Sequence, residues 1–161
     1  MNELIITQAV QEDLIIILDI QRKAFLEVAK TFHLKSMPQI EQTLDSLTAE
    51  FKNCTFLKAS IANTIVGSVR AFKKEDTCYI SKLIVLPEYQ NKGIGKALMN
   101  EIENQFKNIV NRYELFTGSR DQRNQHLYNQ LGYKSFKTEK LNDEISFVYM
   151  EKRSHQSDFD K

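Results

Sequence analysis

The sequence predicts an α/β (α+β) fold built on a mixed, mostly antiparallel central sheet. Pairs of short strands joined by turns indicate antiparallel neighbours, whereas one strand, helix and strand of about forty residues fits a parallel pair with a right-handed crossover. At 161 residues, the chain is long enough to bury roughly 70% of its unfolded surface. We therefore expect one domain over residues 1–152 and a polar tail over residues 153–161.

The N-terminal third is predicted to be mainly helical. A short strand over Leu4 to Gln8 precedes a helix over Asp13 to Lys30, whose apolar residues fall on one helical face. Residues 31–38 are predicted to be a loop. A second helix over Gln39 to Phe51 follows, because its apolar residues are spaced by three and four.

Three strands are predicted next. Strands over Thr55 to Ala62 and Ile65 to Phe72 flank Asn63-Thr64, where asparagine tolerates the left-handed conformation of a hairpin turn. A third strand over Thr77 to Leu86 is ended by Pro87.

The C-terminal part is predicted to alternate helices and strands. The predicted elements are Ile94 to Val110 (helix), Tyr113 to Thr117 (strand), Asn124 to Leu131 (helix), Tyr133 to Lys137 (strand) and Ile145 to Glu151 (strand). The first helix has an apolar stripe that extends to Ile109. Gly132 is typical of a residue that ends a helix.

Composition and charge exclude several function classes. With 42% hydrophobic and 27% charged residues, the chain is too apolar to be disordered. Its 22 basic and 21 acidic residues are interspersed, so no broad basic face is predicted for nucleic acid. The N-terminus lacks a signal-peptide pattern, and the longest apolar run, Leu14 to Leu18, is too short for a membrane. We expect a cytoplasmic protein.

The cysteines and histidines do not form a metal-binding pattern. Cys54 and Cys78 are far apart in sequence, and His33, His126 and His155 are scattered. We expect no metal site and two structural thiols rather than a disulfide, because a reducing compartment disfavours disulfides. His126 is expected to lie on the surface.

Gln90 to Lys96 is the most informative segment. Gly93 and Gly95 stand at the start of a predicted helix, where each costs about 1 kcal/mol relative to alanine. Backbone N–H groups at a helix N-terminus bind anions, and Lys92 and Lys96 would favour a pyrophosphate there. Alternatively, the glycines allow the helix to pack closely on the sheet and the lysines are solvated. P-loop and dinucleotide-binding motifs do not match.

These residues and their surroundings resemble the GNAT family of N-acetyltransferases. Gln90, Gly93 and Gly95 match the family motif Gln/Arg-x-x-Gly-x-Gly/Ala, and a strand precedes them. A second motif of the family is matched by residues 124–133. The resemblance extends from Leu4 to about Met150 and implies a mixed sheet with helices on both faces.

The resemblance implies transfer of an acetyl group from acetyl-coenzyme A (acetyl-CoA) to a primary amine, by direct attack in a ternary complex. The acceptor is not indicated. Gln90 would belong to the cofactor-binding turn, in which backbone N–H groups of the following positions would hold the pyrophosphate: Asn91, Lys92, Gly93, Ile94, Gly95 and Lys96. The backbone of Leu83, Ile84 and Val85 would pair with the pantetheine arm, and a backbone donor would stabilise the oxyanion.

By the same resemblance, Tyr128 would be the general acid and Asn124 would contact the arm. Packing of the short helix for Tyr128, and capping of that helix for Asn124, remain alternatives. Phe32, His33 and Met37 would line the acceptor side.

The chain departs from the family pattern at two places. No glutamate lies in Thr77 to Ser81, so Tyr79, Ser81, Glu27 or water would have to act as the base. Asp121 stands where many relatives have asparagine. A non-catalytic acyl-CoA sensor is therefore the alternative function, followed by another nucleotide-binding module. Monomer and homodimer are both compatible with the sequence.

Overall fold

The computed structural model describes residues 2–154. The helices are α1 (Leu14–Phe32), α2 (Pro38–Glu41), α3 (Leu44–Phe51), α4 (Ile94–Phe106) and α5 (Gln122–Gln130), with 3-10 turns at Gln11–Asp13 and Pro87–Tyr89. The strands are β1 (Leu4–Gln8), β2 (Thr55–Ile61), β3 (Thr64–Lys74), β4 (Thr77–Val85), β5 (Arg112–Gly118), β6 (Lys134–Lys140) and β7 (Ser146–Arg153). None of these helices is long and apolar enough to cross a membrane.

The seven strands form one mixed sheet in the order β1-β2-β3-β4-β5-β7-β6. β4 and β5 are parallel, as the strand, helix and strand pattern predicts. The pairs β1–β2, β2–β3, β5–β7 and β6–β7 are antiparallel. Arg153 belongs to β7, and the Ser154 N–H donates to the Asn111 carbonyl at 3.0 Å. The rest of the predicted tail lies outside the described residues.

The chain divides into two compact units. Among the described residues, the first comprises residues 2–72 and 82–102, and the second comprises residues 73–81 and 103–154. In the first unit, α1 buries one apolar face, as its periodicity predicts. This face packs with residues of α3 and the sheet in one core: Leu14, Ile17, Leu18, Ile20, Ala24, Leu47, Phe56, Ile65 and Ile84.

The prediction of one continuous helix over Gln39 to Phe51 is wrong in one respect, because the helix is interrupted at Thr43. Thr43 is extended, with φ −94° and ψ 163°, and its hydroxyl accepts a hydrogen bond from the Ser46 N–H at 3.1 Å. Threonine is a favourable N-cap, so a new helix, α3, begins at Leu44. α2, which begins at Pro38, occupies part of the predicted loop.

The first hairpin turns one residue earlier than predicted. Ala62 and Asn63 have φ values of 52° and 65°, the pattern of a two-residue turn with both central residues left-handed. Thr64 instead begins β3, opposite Ile61. A β-branched residue disfavours positive φ, which explains why the turn excludes Thr64.

α4 is shorter than predicted. It ends at Phe106 rather than Val110, and Ile109 is 55% exposed instead of belonging to the apolar stripe. A tighter turn follows, in which the Ile109 and Val110 N–H groups both donate to the Phe106 carbonyl. This turn buries Val110.

In the second unit, Glu103 connects several elements by hydrogen bonds. Its carboxylate accepts from the Tyr133 hydroxyl at 2.9 Å and from Lys152 Nζ at 2.7 Å. Its backbone carbonyl accepts from the Tyr113 hydroxyl at 3.0 Å. Gly132, at φ +100°, follows α5 as predicted for a helix stop.

Candidate functional site

The turn after β4 is fixed to the strand by Gln90. Its side-chain Nε2 donates to the Val85 carbonyl at 3.1 Å. The Leu86 N–H donates to the Val66 carbonyl of β3 at 2.8 Å. Gln90, predicted as a cofactor-binding residue, thus braces the segment that carries the two glycines.

Two residues of this segment have left-handed backbone conformations. Asn91 has φ 63° and Gly93 has φ 82°. A Cβ atom on Gly93 would meet no atom within 4 Å, so its conformation rather than crowding requires glycine. The Gly93 carbonyl accepts from the Ala97 N–H at 3.0 Å, and α4 begins directly after it. The first N–H groups of a helix lack intrahelical acceptors and favour an anion.

Lys92 and Lys96 bring positive charge to this helix end. Both side chains are exposed, and Lys92 Nζ lies 5.7 Å from the centroid of the Tyr89 ring. Within residues 2–154, neither lysine has a carboxylate within 4.0 Å. Cations near a helix N-terminus oppose its dipole, so this arrangement is suited to an anionic ligand.

β4 is irregular where the cofactor arm is predicted to bind. It pairs with β5 at three positions, Thr77 to Tyr79 against Arg112 to Glu114. Three residues later, Lys82 has φ 54°, a conformation that costs a lysine on the order of 1 kcal/mol. Such strain persists where the structure enforces it, often next to active sites. Lys82 directly precedes Leu83–Val85, the segment predicted to pair with the pantetheine arm.

Gly67 of β3 positions this segment, although it belongs to none of the motifs found in the sequence. A Cβ atom on Gly67 would lie 2.8 Å from the Ile84 carbonyl oxygen, 3.3 Å from Leu98 and 3.4 Å from Val85. Only glycine allows β3 to approach Ile84 this closely. An isolated glycine within an apolar strand is the sequence signal for such a contact.

A buried charged cluster lies outside the residues predicted from the sequence. Arg70 of β3 is 1% exposed and donates to both Glu50 carboxylate oxygens, at 2.6 and 3.1 Å. It also donates to Gln21 Oε1 at 3.0 Å and Gln42 Oε1 at 3.1 Å. Lys82 lies close enough to this cluster for Arg70 to lower its pKa, after the larger effect of burial.

Tyr128 is buried in α5, within the second unit. Its exposed fraction is 5%, and its ring packs edge-on against Tyr133 at a centroid distance of 6.0 Å. Burial, and then the negative charge of Asp121, raises the pKa of its phenol well above the usual value of 10.0. The hydroxyl therefore stays protonated at every physiological pH.

Asp121, rather than Asn124, caps α5. The Asp121 carboxylate accepts from the Asn124 N–H at 3.1 Å, so the alternative in which Asn124 caps the helix is wrong. The Asn124 side chain is half-buried. Both Asn124 and Tyr128 belong to the second unit, whereas the other predicted cofactor residues belong to the first.

The candidate bases and acceptor-loop residues lie in varied surroundings. Tyr79 and Ser81 are half-buried in β4, whereas Glu27 is exposed on α1. Phe32 is the last residue of α1, and His33 follows it with φ 58°. Met37, which precedes α2, is buried. His126 is exposed, as predicted.

Both cysteines are free. Burial, and then the charge of Glu103, raises the pKa of Cys78 to about 12. Burial is also the main cause that raises the pKa of Cys54. Both groups are therefore thiols rather than thiolates near neutral pH. Among the described residues, no three His, Cys, Asp or Glu side chains are grouped to hold a metal ion.

Comparison with known families decides the assignment. The model of the family described as acetyltransferase (GNAT) domain matches residues 17–154. The chain belongs to this GNAT family. It is an acetyl-CoA-dependent N-acetyltransferase, and the family, fold class, enzyme class and acetyl donor predicted from the sequence are confirmed.

Solved structures share the fold at low sequence identity. The PaiA N-acetyltransferase of Thermoplasma acidophilum, in complex with coenzyme A, has a TM-score of 0.79 and 21% identity, over 94% of this chain and 99% of that one. The ribosomal-protein-S18-alanine N-acetyltransferase of Escherichia coli has a TM-score of 0.78 and 14% identity, over 94% of each chain. YncA of Salmonella typhimurium, with its cofactor acetyl-CoA, has a TM-score of 0.75 and 16% identity, over 93% of each chain. No curated protein sequence matches significantly.

Proposed function

We propose that this enzyme transfers the acetyl group of acetyl-CoA directly to a primary amine within a ternary complex. The observation that carries the proposal is the turn with left-handed Asn91 and Gly93, which leads into α4 beside the irregular end of β4. A covalent acetyl-cysteine intermediate is disfavoured, because burial raises the pKa of both thiols and thiolates are the reactive form.

The pyrophosphate is assigned to the start of α4. Backbone N–H groups at six positions would bind it, namely those of Asn91, Lys92, Gly93, Ile94, Gly95 and Lys96. The lysine ammonium groups add charge attraction from the exposed side. The helix N-terminus supports this assignment because its dipole and its unpaired N–H groups act in the same direction.

The pantetheine arm is assigned to the backbone of Leu83, Ile84 and Val85. An extended arm can pair with a strand in the manner of an added strand. This pairing would hold the thioester in a fixed orientation, and a backbone N–H would stabilise the oxyanion that forms when the amine attacks. Asn124 is proposed as a further contact to the arm.

Tyr128 is proposed as the hydrogen-bond donor to the departing thiolate. Its raised pKa makes complete proton transfer to a thiolate unfavourable, since a free thiol has a pKa of about 8.5. Donation of a hydrogen bond still stabilises the negative charge that develops on sulfur. A water molecule is proposed as the base, because residues 77–81 contain no acid.

We further propose that the enzyme acts in the cytoplasm, where its two free thiols stay reduced. A homodimer is a second proposal. It is supported by the fully exposed β6 at the edge of the sheet, since exposed edges can pair with another chain. Light scattering on a size-exclusion column would decide between monomer and dimer.

The alternative function is that of a non-catalytic acyl-CoA sensor. The specific observation in its favour is the segment Thr77 to Ser81, which contains no glutamate or aspartate to deprotonate an amine. A sensor would bind acetyl-CoA tightly without releasing coenzyme A in the presence of any amine. Release of thiol with at least one member of a broad amine panel would exclude this function.

The first experiment measures the thermal midpoint with and without acetyl-CoA. At a ligand concentration of about 100 times Kd, binding stabilises the native state by about 2.7 kcal/mol. This corresponds to a rise of about 5–11 °C, at about 2–4 °C per kcal/mol for a protein of this size. Gly95→Asp should abolish the rise, because its carboxylate would repel the pyrophosphate.

Asn63→Asp is the matched control, since it adds the same charge at a hairpin turn. It should keep the full rise with acetyl-CoA. An unchanged rise in Gly95→Asp would contradict the assignment of the pyrophosphate to α4. Thiol release with an amine panel then tests catalysis separately from binding.

A further inference from the structure

We propose that Lys82 binds a carboxylate on the acceptor, so that the acceptor is an amine that also carries a carboxylate, such as an α-amino acid. This inference rests on the proposed function, because it names the acceptor class for the same site. It makes Lys82 a specificity-determining residue.

Among the described residues, Lys82 is a half-buried cation without an ion-pair partner. Within residues 2–154, no carboxylate oxygen lies within 4.0 Å of its Nζ. The nearby Glu50 carboxylate is already held by Arg70 through two hydrogen bonds. A charge withdrawn from water in this way is unfavourable unless a counter-charge approaches it.

The charges around Lys82 leave a positive excess. Arg70 and Glu50 offset each other as a pair, at 2.6 Å, whereas Lys82 adds one further positive charge. Burial is the largest cause that lowers the pKa of Lys82, and the repulsion from Arg70 exceeds the attraction from Glu50. A carboxylate would relieve this imbalance, and a second ammonium group on the acceptor, as in a polyamine, would increase it.

The position of Lys82 along β4 points to the acceptor rather than to the cofactor. The cofactor phosphates are assigned to residues 91–96, beyond the C-terminal end of the strand. The arm would then run back along Val85, Ile84 and Leu83, so that its thioester lies next to Lys82. An attacking amine must come within about 3–3.5 Å of the thioester carbon. An anion beside Lys82 therefore belongs to the acceptor molecule.

The backbone conformation is consistent with a functional role for this side chain. Lys82 has φ 54°, where glycine or asparagine would be less strained. The lysine side chain is not needed for this conformation. Its presence is explained if the ammonium group binds a ligand.

The test compares α-amino acids with their α-carboxamides as acceptors. The amide lowers the basicity of the amine and raises its neutral fraction, so a preference for the acid cannot come from amine reactivity. We expect wild-type kcat/KM to favour the acid by about tenfold or more, as for a hydrogen bond to a charged group. Lys82→Met should reduce this ratio to near one while the thermal shift with acetyl-CoA is kept. Lys82→Arg should retain part of it.

Lys134→Met, which removes an exposed lysine of β6, is the control and should keep the wild-type ratio. A wild-type preference for amides or polyamines would overturn the inference, as would an unchanged ratio in Lys82→Met. If acetyl-CoA binds but no amine is acetylated, the proposed function fails. The carboxylate site is then judged by binding of N-acetyl amino acids with coenzyme A. Together these ligands should raise the thermal midpoint of the wild type more than that of Lys82→Met. Equal rises in the two proteins would overturn the inference of a carboxylate site.

Discussion

Replacing Glu50 with alanine should leave the Arg70 guanidinium buried without its charge partner. Arg70 is 1% exposed, and its side chain donates to both Glu50 oxygens. Removal of one partner from a buried ion pair costs about 3–5 kcal/mol. The Glu50 side chain is 29% exposed, and Gln21 and Gln42 still accept from Arg70. We therefore expect a loss of about 2–3 kcal/mol, below the fully buried value.

A loss of this size is measurable by urea unfolding and by heating. The thermal midpoint should fall by about 4–12 °C, at about 2–4 °C per kcal/mol for a chain of this size. In a double-mutant cycle, Glu50→Ala combined with Arg70→Met should cost less than the sum of the single changes, because the double variant has no unpaired guanidinium. Glu27→Ala, at an exposed position of α1, is the control and should change stability little.

Two results would refute this reasoning. A loss of less than about 1 kcal/mol for Glu50→Ala would place the pair among exposed salt bridges. Additive effects in the double-mutant cycle would show that Arg70 does not depend on Glu50. Either result would also weaken the case for a carboxylate at Lys82, which assumes that Arg70 and Glu50 neutralise each other.

Three further predictions concern single residues. Gly67→Ala should abolish the thermal shift with acetyl-CoA, because its Cβ atom would lie 2.8 Å from the Ile84 carbonyl oxygen, and an unchanged shift would contradict this. Tyr128→Phe should lower kcat by about 100-fold, as for the loss of one hydrogen-bond donor to a developing anion, and should leave the thermal shift intact. The pH profile of kcat should show no ionisation of this residue below pH 10, because burial and Asp121 raise its pKa. Burial raises the pKa of Asp13, but Lys58 and a backbone N–H lower it more, so it falls below 3.8. Asp13→Asn should therefore cost about 1 kcal/mol at pH 7 in urea unfolding, and a difference that did not shrink below pH 4 would contradict this.

Local patterns predicted most of the secondary structure. The apolar face of α1 and the stripe of α4 recur with helical spacing, so both helices follow from the sequence alone. The break before α3 depends on the hydrogen bond from the Ser46 N–H to Thr43, which competes with a pattern that is otherwise helical throughout. The position of the first turn depends on the left-handed conformation of Ala62. Alanine does not favour this conformation, so the sequence alone does not place the turn there.

The candidate site also contains residues that the sequence predicts and residues that it does not. Gln90, Gly93 and Gly95 are neighbours in sequence, so their motif can be recognised from the order of residues alone. Arg70 is separated from its partners by 20 to 49 residues, and no local pattern indicates such contacts. The sequence does not predict the left-handed conformation of Lys82 either, because lysine rarely adopts it.

The proton balance of the reaction explains how so few ionisable groups can suffice. A neutral amine and a thioester give an amide and a thiol, so the proton lost from nitrogen equals the proton gained by sulfur. Tyr128, whose raised pKa keeps it protonated, can stabilise the thiolate by a hydrogen bond without a net change in its own state. Water can remove the proton from nitrogen, since residues 77–81 offer no acid. Catalysis then depends mainly on orientation along β4 and on the neutral fraction of the acceptor.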